Sequence, residues 1–481
     1  MSFSISNTSA SAVITDITTP SSVTGELTIT SGSLPLSVGG FVSGTNTTLD
    51  NQKGSPYGTF QMFLQQGDAL IDTYVNNTLY SSEKYSSGIV SIQTPIVQSG
   101  DSLTMSVSDI GFDCYSIGSF GGDIPEQITQ QADGKMIYVG YFTSYAGVAA
   151  NRIIRLNTDF SIDDTFVYGT GFNAEANAVA IQPDGKILIG GNFTQYNGTS
   201  RNRIIRLNTD GSVDNTFAIG TGFNNSIWSI VVQPDNKILV GGNFTQYSGS
   251  SRSKLVRLNS TGSIDTTFAN PDSINNTLYQ IALQSDNKVV IGGIFSQVSG
   301  VTCGGVARLT TGGTIDDTFQ LSGFTTSGGS GLYNLSIDPS GKIICGGLFT
   351  TYSGASVGAN IARLNTDGTY DSTFNVGSGI TGSTFVTDVI PTNGKYLVTG
   401  VFDNFNGSSV GSIMRLNDDG SLDTTFNTGT GTGYDTNAYG APSYIQSDGN
   451  YNFSSVFSDY NGTAVPNMIV IDPLGKLLNC E

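Results

Sequence analysis

The chain has 481 residues, long enough for two domains, and its 20 basic and 38 acidic residues give a formal charge of −18. A negative surface repels phosphate backbones and anionic lipid, so we expect neither nucleic acid nor a membrane as a partner. Histidine is absent, which excludes Ser-His-Asp and Cys-His catalysis and histidine-bound zinc. The apolar residues form short runs between turns rich in Gly, Ser, Thr and Asn, a pattern typical of an ordered all-β protein.

The first eight residues, Met1 to Thr8, contain neither a basic region nor an apolar region of a secretory signal. No apolar run approaches the length of a transmembrane helix. We therefore expect no export by the general secretory route and no membrane insertion. A virion protein is assembled in the cytoplasm and needs no such signal.

Residues 1–110 alternate β-like runs with polar turns and show no helical periodicity. The runs are Ala12 to Ile17, Glu26 to Thr30, Thr59 to Leu64, Ile89 to Val97 and Ser102 to Ser108. Short strands at this spacing predict a small β-sandwich. We expect this domain to attach the rest of the chain to a larger assembly.

Residues 111–481 consist of copies of one unit. Its marker is a phenylalanine that recurs seven times at intervals of 51 to 55 residues: Phe142, Phe193, Phe244, Phe295, Phe349, Phe402 and Phe457. In the second copy, strands are predicted at Val179 to Gln182, Ile187 to Asn192, Arg203 to Asn208 and Ser212 to Phe217. Four antiparallel strands in a unit of this length are typical of a propeller blade, so the sequence predicts a seven-bladed β-propeller of four-stranded blades.

The two ends of the repeat region predict how the ring closes. Counting along the unit puts Tyr115 at the position of the aromatic residue that the last copy lacks. The same count puts Cys114 and Cys480 at one repeat position, so we expect them to be neighbours at the seam. Whether they form a disulfide is left open.

Two sequence words recur in order, Gln182-Pro-Asp-Gly-Lys-Ile-Leu-Ile-Gly-Gly-Asn-Phe193 and Arg206-Leu-Asn-Thr-Asp-Gly-Ser-Val-Asp-Asn-Thr-Phe217. Together they resemble the delta-60 repeat β-propeller family over about three quarters of the chain. The glycine pairs are also similar to kelch blades, although the second word fits the delta-60 repeat better. The resemblance implies a surface, secreted or bacteriophage structural component with no defined catalytic residues. The last copy departs from it, with Val470-Ile-Asp472 in place of Arg-Leu-Asn.

Six copies carry an arginine eight residues before an aspartate. The pairs are Arg155 and Asp163, Arg206 and Asp214, Arg257 and Asp265, Arg308 and Asp316, Arg363 and Asp371, and Arg415 and Asp423. The last copy has Val470 and Leu478 instead, and the joint loss favours a structural ion pair between the third and fourth strands. The alternative is an arginine ring that binds an anion.

A second repeated set lies three residues after each marker phenylalanine: Tyr145, Tyr196, Tyr247, Val298, Tyr352, Phe405 and Tyr460. The six aromatic side chains either pack between blades or form glycan-stacking platforms on one face. Trp228, the only tryptophan, is predicted near the start of an inner strand, in the core or lining the channel. Asn208, Asp210 and Asp214 have the spacing of a partial calcium loop, but turn formation accounts for them, and no metal or cofactor is predicted.

These patterns predict a non-enzymatic virion protein of a bacteriophage tail, fibre or head decoration, present in multiple copies. Its expected partners are other virion proteins, bound through residues 1–110, and a host-surface glycan or protein. The alternatives are a bacterial surface or secreted adhesin and a polysaccharide-active enzyme. A catalytic carboxylate pair should break the repeat, and the sequence indicates no such irregularity.

Overall fold

The computed structural model describes residues 115–479 except 272, 322, 326–330, 358–359, 382–384, 430–431, 435–442 and 456. Within that range, residues 432–434 and 458 are described by their backbone alone. Between residues 10 and 109 it describes the backbone of eight strands. The chain divides into two compact units, Met1–Cys114 and Tyr115–Glu481. The described elements are all β-strands, and none is a helix. That part of the chain accordingly has no helix with the length and apolar character to span a membrane.

The described strands of the first unit form two antiparallel sheets. One has the order Ala10–Ile14, Leu103–Asp109, Ala69–Val75, Thr78–Tyr85. The other has the order Glu26–Thr30, Ser37–Phe41, Tyr57–Leu64, Gly88–Pro95. The β-sandwich stays a prediction, since strand pairing defines two sheets and not their packing.

The described part of the second unit contains seven three-stranded antiparallel sheets, numbered here 1 to 7 in chain order. Their first strands are Pro125–Gln130, Ala176–Ile181, Ile227–Val232, Leu278–Leu283, Gly331–Ile337, Phe385–Thr392 and Ser443–Ile445. Their central strands are Met136–Gly140, Ile187–Gly191, Ile238–Gly242, Val289–Gly293, Ile343–Leu348, Lys395–Val401 and Tyr451–Ser454. Their third strands are Ile153–Leu156, Ile204–Leu207, Leu255–Leu258, Val306–Leu309, Ile361–Leu364, Ile413–Asn417 and Met468–Ile471.

A short hairpin follows the central strand of each sheet. The hairpins are Ser144–Tyr145 with Val148–Ala149, Gln195–Tyr196 with Thr199–Ser200, Gln246–Tyr247 with Ser250–Ser251, Gln297–Val298 with Val301–Thr302, Thr351–Tyr352 with Ala355–Ser356, Asn404–Phe405 with Ser408–Ser409, and Phe457–Tyr460 with Thr463–Ala464. Four of them gain a third strand: Phe120–Gly121, Phe324–Thr325, Ile380–Thr381 and Thr432–Tyr434.

The predicted fourth strand of each blade is wrong as a strand. In sheet 2 it is reduced to a single bridge between Leu207 and Val213, and the other sheets have the same bridge. In sheets 1 to 6 the reason is the aspartate one residue further on, which sheet 7 lacks. Asp214 Oδ1 accepts hydrogen bonds from the backbone N–H of Thr216 at 2.9 Å and from its hydroxyl at 2.6 Å, which turns the chain away from the sheet.

The glycine pair at the end of the central strand lets two neighbours approach closely. A Cβ on Gly190 would lie 2.5 Å from Cγ2 of Ile227 in the next sheet. A Cβ on Gly191 would lie 2.2 Å from the carbonyl oxygen of Glu175, the residue before the adjoining first strand. The two glycines therefore serve different contacts, one between sheets and one within a sheet.

Successive sheets contact each other through their first strands, from Pro125–Gln130 onward. The first strand of sheet 7, Ser443–Ile445, lies beside both Phe385–Thr392 and Pro125–Gln130. The ends also meet, because the backbone N–H of Tyr115 donates to the carbonyl oxygen of Leu478 at 2.7 Å. The second unit is thus a repeat, β-propeller-like domain. Cys114 and Cys480, predicted at the seam, lie outside the described residues.

Candidate functional site

The six arginine–aspartate pairs are ion pairs inside the second unit, between the end of the third strand and the turn after it. The arginine Nε lies 2.6 to 2.9 Å from the aspartate Oδ2 in each. A lysine from the hairpin turn of the same sheet reaches the same oxygen at 2.7 to 3.1 Å. The arginine and aspartate are buried, whereas the lysine is partly exposed. These six arginines and six lysines all form ion pairs with the aspartates. They therefore do not form an arginine ring that binds an anion.

Each arginine also reaches the following sheet. Arg257 Nη1 donates to the carbonyl oxygen of Thr311, 54 residues further on, at 2.8 Å. Its guanidinium carbon lies 4.4 Å from the centroid of the Phe268 ring, a cation–π contact. The other five arginines make the equivalent contacts with the following sheet and with the phenylalanine of their own Asp-x-Thr-Phe word. The repeated sequence words therefore encode the contacts that hold neighbouring sheets together, and these contacts are called the fastening below.

The aspartates of these pairs are held ionised. Burial alone would raise the pKa of Asp214, but hydrogen bonds from Thr216, Lys186 and Arg206 outweigh it and hold the pKa well below its usual range. The equivalent aspartates behave in the same way. A carboxylate satisfied so completely has no free capacity for general acid or base work.

The repeated aromatic side chains lie in the core. Tyr145, Tyr196, Tyr247, Tyr352, Phe405 and Tyr460 are 0 to 3% exposed. The hydroxyl of Tyr247 donates to the carbonyl oxygen of Gly262 at 2.7 Å, and the other four tyrosines make the equivalent bond to the turn of their own sheet. Their interpretation as glycan-stacking platforms is therefore wrong, because stacking needs an exposed ring face. All six pack in the core, and the hydroxyl groups of the five tyrosines each hold a turn of the same sheet.

The partial calcium loop is a turn. Asp210 Oδ1 accepts from the backbone N–H of Ser212 at 2.9 Å and from its hydroxyl at 2.6 Å. The side-chain amide of Asn208 donates to the same hydroxyl at 2.9 Å. Across the described residues, no group of three or more Asp, Glu, Cys or His side chains is arranged to hold a metal ion.

Sheets 1 to 6 also share one position at which the residue type varies from copy to copy. In each of these sheets the register between the first and central strands slips by one residue, a β-bulge. The extra residues, called the bulge set here, are Glu126, Asn177, Trp228, Tyr279, Tyr333 and Thr387. They lie on the first strands, where the sheets meet.

Half of the bulge set is aromatic and forms a continuous arc. The ring centroids of Trp228 and Tyr279 are 5.7 Å apart, and those of Tyr279 and Tyr333 are 5.8 Å apart. Phe385 extends the arc at 5.9 Å from Tyr333. All four rings are partly exposed. Trp228 was expected in the core or along the channel, and it lies partly exposed on the first strand of sheet 3.

The other half of the bulge set is polar. Burial of the carboxyl group of Glu126, together with the negative charge of Asp123, raises its pKa to about 8. Burial and then the charges of Glu126, Glu175 and Asp123 raise the pKa of Tyr141, so these carboxyl groups lie around one tyrosine. Glu126 and Glu175 are the two glutamates of residues 115–480, a region whose other acidic residues are all aspartate. This irregularity was present in the sequence and was overlooked.

Asp388, one residue after the bulge of sheet 6, ties three sheets together. It accepts from the hydroxyl of Ser443 at 2.6 Å and from the side-chain amide of Asn334 at 2.9 Å. Burial raises its pKa to about 6 despite these hydrogen bonds. Its carboxylate oxygens already accept hydrogen bonds from sheets 5 and 7, so its role is structural.

A cleft of about 670 Å³ lies at the hairpin turns of sheets 4 and 5, lined by Gln284, Asp286, Arg308, Asp338 and Pro391 among others. Its buried polar groups are already paired. Arg308 is bound by Asp316 at 2.9 Å, and Asp338 accepts from the hydroxyl of Tyr396 at 2.7 Å. The cleft therefore has fewer unpaired polar groups for a ligand to bind than the bulge set has.

Six segments of the chain match the model of a β-propeller domain of unknown function (DUF5122): residues 131–166, 182–217, 233–268, 284–319, 339–374 and 392–426. These segments contain the six arginine–aspartate pairs. The matches support a repeat β-propeller family. No curated protein matches the sequence.

The solved structures that match this chain are distant from it in both sequence and backbone. The computationally designed Ika8 protein is 10% identical with a TM-score of 0.42, covering 75% of this chain and 97% of its own. A gluconolactonase from Xanthomonas campestris is 14% identical with a TM-score of 0.34, covering 60% and 84%. A family 32 glycoside hydrolase from Bifidobacterium adolescentis is 10% identical with a TM-score of 0.17, covering 87% and 73%. At this similarity the fold does not decide whether the chain is an enzyme.

Proposed function

We propose that the second unit is a closed ring of seven blades, one for each sheet. The proposal is supported by the contact between the first strands of sheets 7 and 1. It is also supported by the hydrogen bond from Tyr115 to Leu478, which joins the two ends of the unit. In this ring the first strands line the central channel.

The ring is a rigid, non-enzymatic platform. The observation that carries this conclusion is the use of the repeated charged groups. Six arginines, six lysines and six aspartates are engaged in ion pairs within the sheets, and the arginines extend into the next sheet. A scaffold fastened at every sheet boundary holds its faces in fixed positions, which suits a surface that presents a binding site to a partner.

The platform belongs to a virion, as a tail, fibre or head-decoration protein, and the first unit attaches it to the particle as a β-sandwich. The resemblance to delta-60 repeat proteins and the acidic, Ser/Thr/Asn/Gly-rich composition support this assignment. Attachment in several copies would let a weak binding site act with high avidity.

The test is the protein content of purified particles from the source of this chain. We expect the full chain in stoichiometric amounts, and we expect a variant that lacks residues 1–114 to be lost from the particles. Particles without the chain would refute the virion assignment and favour a surface or secreted adhesin. Turnover of a polysaccharide by the full chain, abolished by Glu126→Gln or Glu175→Gln, would refute the non-enzymatic role.

A further inference from the structure

We propose that the bulge set forms a binding site for a neutral saccharide on the first strands of sheets 1 to 6. This inference rests on the proposed function and deepens it, since it names the class of ligand that the platform presents. The occupant is one end of a glycan chain, with a sugar ring lying against the aromatic arc.

The aromatic arc supplies the stacking surface. Trp228, Tyr279 and Tyr333 come from three successive sheets, with an edge-on contact between the first two rings and a tilted contact between the last two. Each ring is partly exposed, unlike the buried Tyr247 and Tyr352 of sheets 3 and 5. Aromatic rings with an exposed face bind the C–H face of a pyranose, and those with a polar tip also bind its hydroxyl groups.

The polar members supply hydrogen-bonding groups that the protein does not use. Asn177 is 4% exposed, and its Oδ1 has no hydrogen-bond partner although its amide donates to the carbonyl oxygen of Ile227 at 3.1 Å. The hydroxyl of Thr387 also lacks a partner. A buried polar oxygen without a partner is costly, and turning either side chain toward a ligand hydroxyl would relieve that cost.

The aspartates of the ion pairs give the contrast. They sit in the same sheets, and their carboxylates receive hydrogen bonds from three side chains each. Unpaired buried oxygens also occur outside the bulge set, at Gln233 and Asn452 among others, so it is their position on the first strands that distinguishes Asn177 and Thr387. Asn177 and Thr387 both occupy the bulge position, in sheets 2 and 6, on either side of the aromatic arc.

Charge selects a neutral ligand. The carboxyl group of Glu126, whose pKa is raised to about 8, keeps its proton at pH 7 and can both donate and accept a hydrogen bond. Asp123 and Glu175 lie around Tyr141 nearby, and their negative charge repels uronate, sulfate and phosphate. A cationic ligand would favour ionised Glu126, and tetramethylammonium serves as the probe for that case.

Trp228 reports on the site directly, because it is the only tryptophan of the chain. The full chain is titrated with neutral trisaccharides of glucose, galactose, mannose and N-acetylglucosamine, and with trigalacturonate and tetramethylammonium. We expect at least one neutral trisaccharide to change the Trp228 emission with saturation below about 10 mM. No saturable change with any of the four, or a tighter response to either charged probe, would overturn the proposal.

Variants then locate the binding. Tyr279→Ala and Asn177→Ala should each weaken binding of the responding trisaccharide by about tenfold, the scale of one stacking or hydrogen-bonding contact. Tyr168→Ala is the matched control, because Tyr168 is a partly exposed tyrosine outside the bulge set. Equal weakening by Tyr168→Ala and Tyr279→Ala would overturn the assignment.

The outcomes separate this proposal from the proposed function. If the trisaccharide binds and purified particles lack the chain, the site stands and the virion assignment fails. If particles contain the chain and the Trp228 titration is flat, the virion assignment stands and the saccharide site fails.

Discussion

Replacing Asp265 with alanine isolates the buried charge of Arg257 and tests the fastening between sheets 3 and 4. The arginine side chain is 7% exposed, and its Nε loses the carboxylate that lies 2.7 Å away. Removing one partner of a buried ion pair costs about 3 to 5 kcal/mol. The hydrogen bond to Thr311 and the contact with Phe268 remain, and Lys237 turns to solvent. We therefore expect a loss of about 4 kcal/mol in the free energy of unfolding.

The matched variant is Asp214→Ala in sheet 2. Arg206 keeps a second partner there, because its Nη1 also donates to Gln182 Oε1 at 3.2 Å, whereas the equivalent Gln233 Oε1 has no partner. Asp214→Ala should therefore cost about 1 kcal/mol less than Asp265→Ala, the net worth of one hydrogen bond.

The assay is urea unfolding of the full chain followed by the emission of Trp228, which lies in sheet 3. The double variant Arg257→Met, Asp265→Ala removes both charges, as Val470 and Leu478 do in sheet 7. It should recover most of the loss, ending within about 1 to 2 kcal/mol of the parent. A double variant as unstable as Asp265→Ala alone would refute the reasoning, since the cost would then come from lost packing or a lost turn and not from an unpaired charge.

Three further results are expected. The aspartates of the ion pairs have folded pKa values below the unfolded value of about 3.9, so the stability they contribute is present at neutral pH and is lost as the pH falls below about 4; the double variant should show a shallower decline of the urea midpoint between pH 5 and pH 3. Glu126 has a raised pKa of about 8, so the parent should lose stability as the pH rises from about 4.3 to 8, and Glu126→Gln should remove that decline in the same assay. Gly191→Ala should lower the free energy of unfolding by about 3 kcal/mol because its Cβ would meet the carbonyl oxygen of Glu175. The control Gly312→Ala has one neighbour at 3.7 Å and an ordinary backbone, so it should lower it by less than about 1 kcal/mol. Equal urea midpoints for the two variants would contradict the close approach at Gly191.

The sequence was sufficient for the all-β class, the repeat and its β-propeller character. The reason is that turn words and apolar runs recur together, so each copy supports the assignment of the others. The strands around Val179, Ile187 and Arg203 were predicted to within a few residues. The stretch after Ser212 has the same alternation as a strand, but the turn closed by Asp214 depends on hydrogen bonds that no periodicity reveals.

The candidate site was harder to predict because its residues share a position and not a residue type. A β-bulge depends on the backbone of the strand opposite, here the glycine pair, so Asn177 and Trp228 do not look equivalent in the sequence. The aromatic set around Tyr247 looks more regular and was the natural candidate for a ligand surface. Its regularity reflects packing, because every blade needs the same wedge. Departures from the repeat, such as Glu126, carry more information about binding.

Each arginine bonds to the sheet that follows it in the chain, which predicts that the sheets are completed in order during synthesis. Arg155 finds its carbonyl partner at Thr209, and Arg415 finds its partner at Pro473, always in the sheet that follows. We therefore expect a sheet leaving the ribosome to lack this contact until the next 54 to 58 residues have emerged. The last sheet has no such arginine, and its partner, the segment at Tyr115, precedes all seven sheets in the chain. Nascent chains stalled at successive lengths should resist protease one sheet behind the newest, up to the residue that joins the ends.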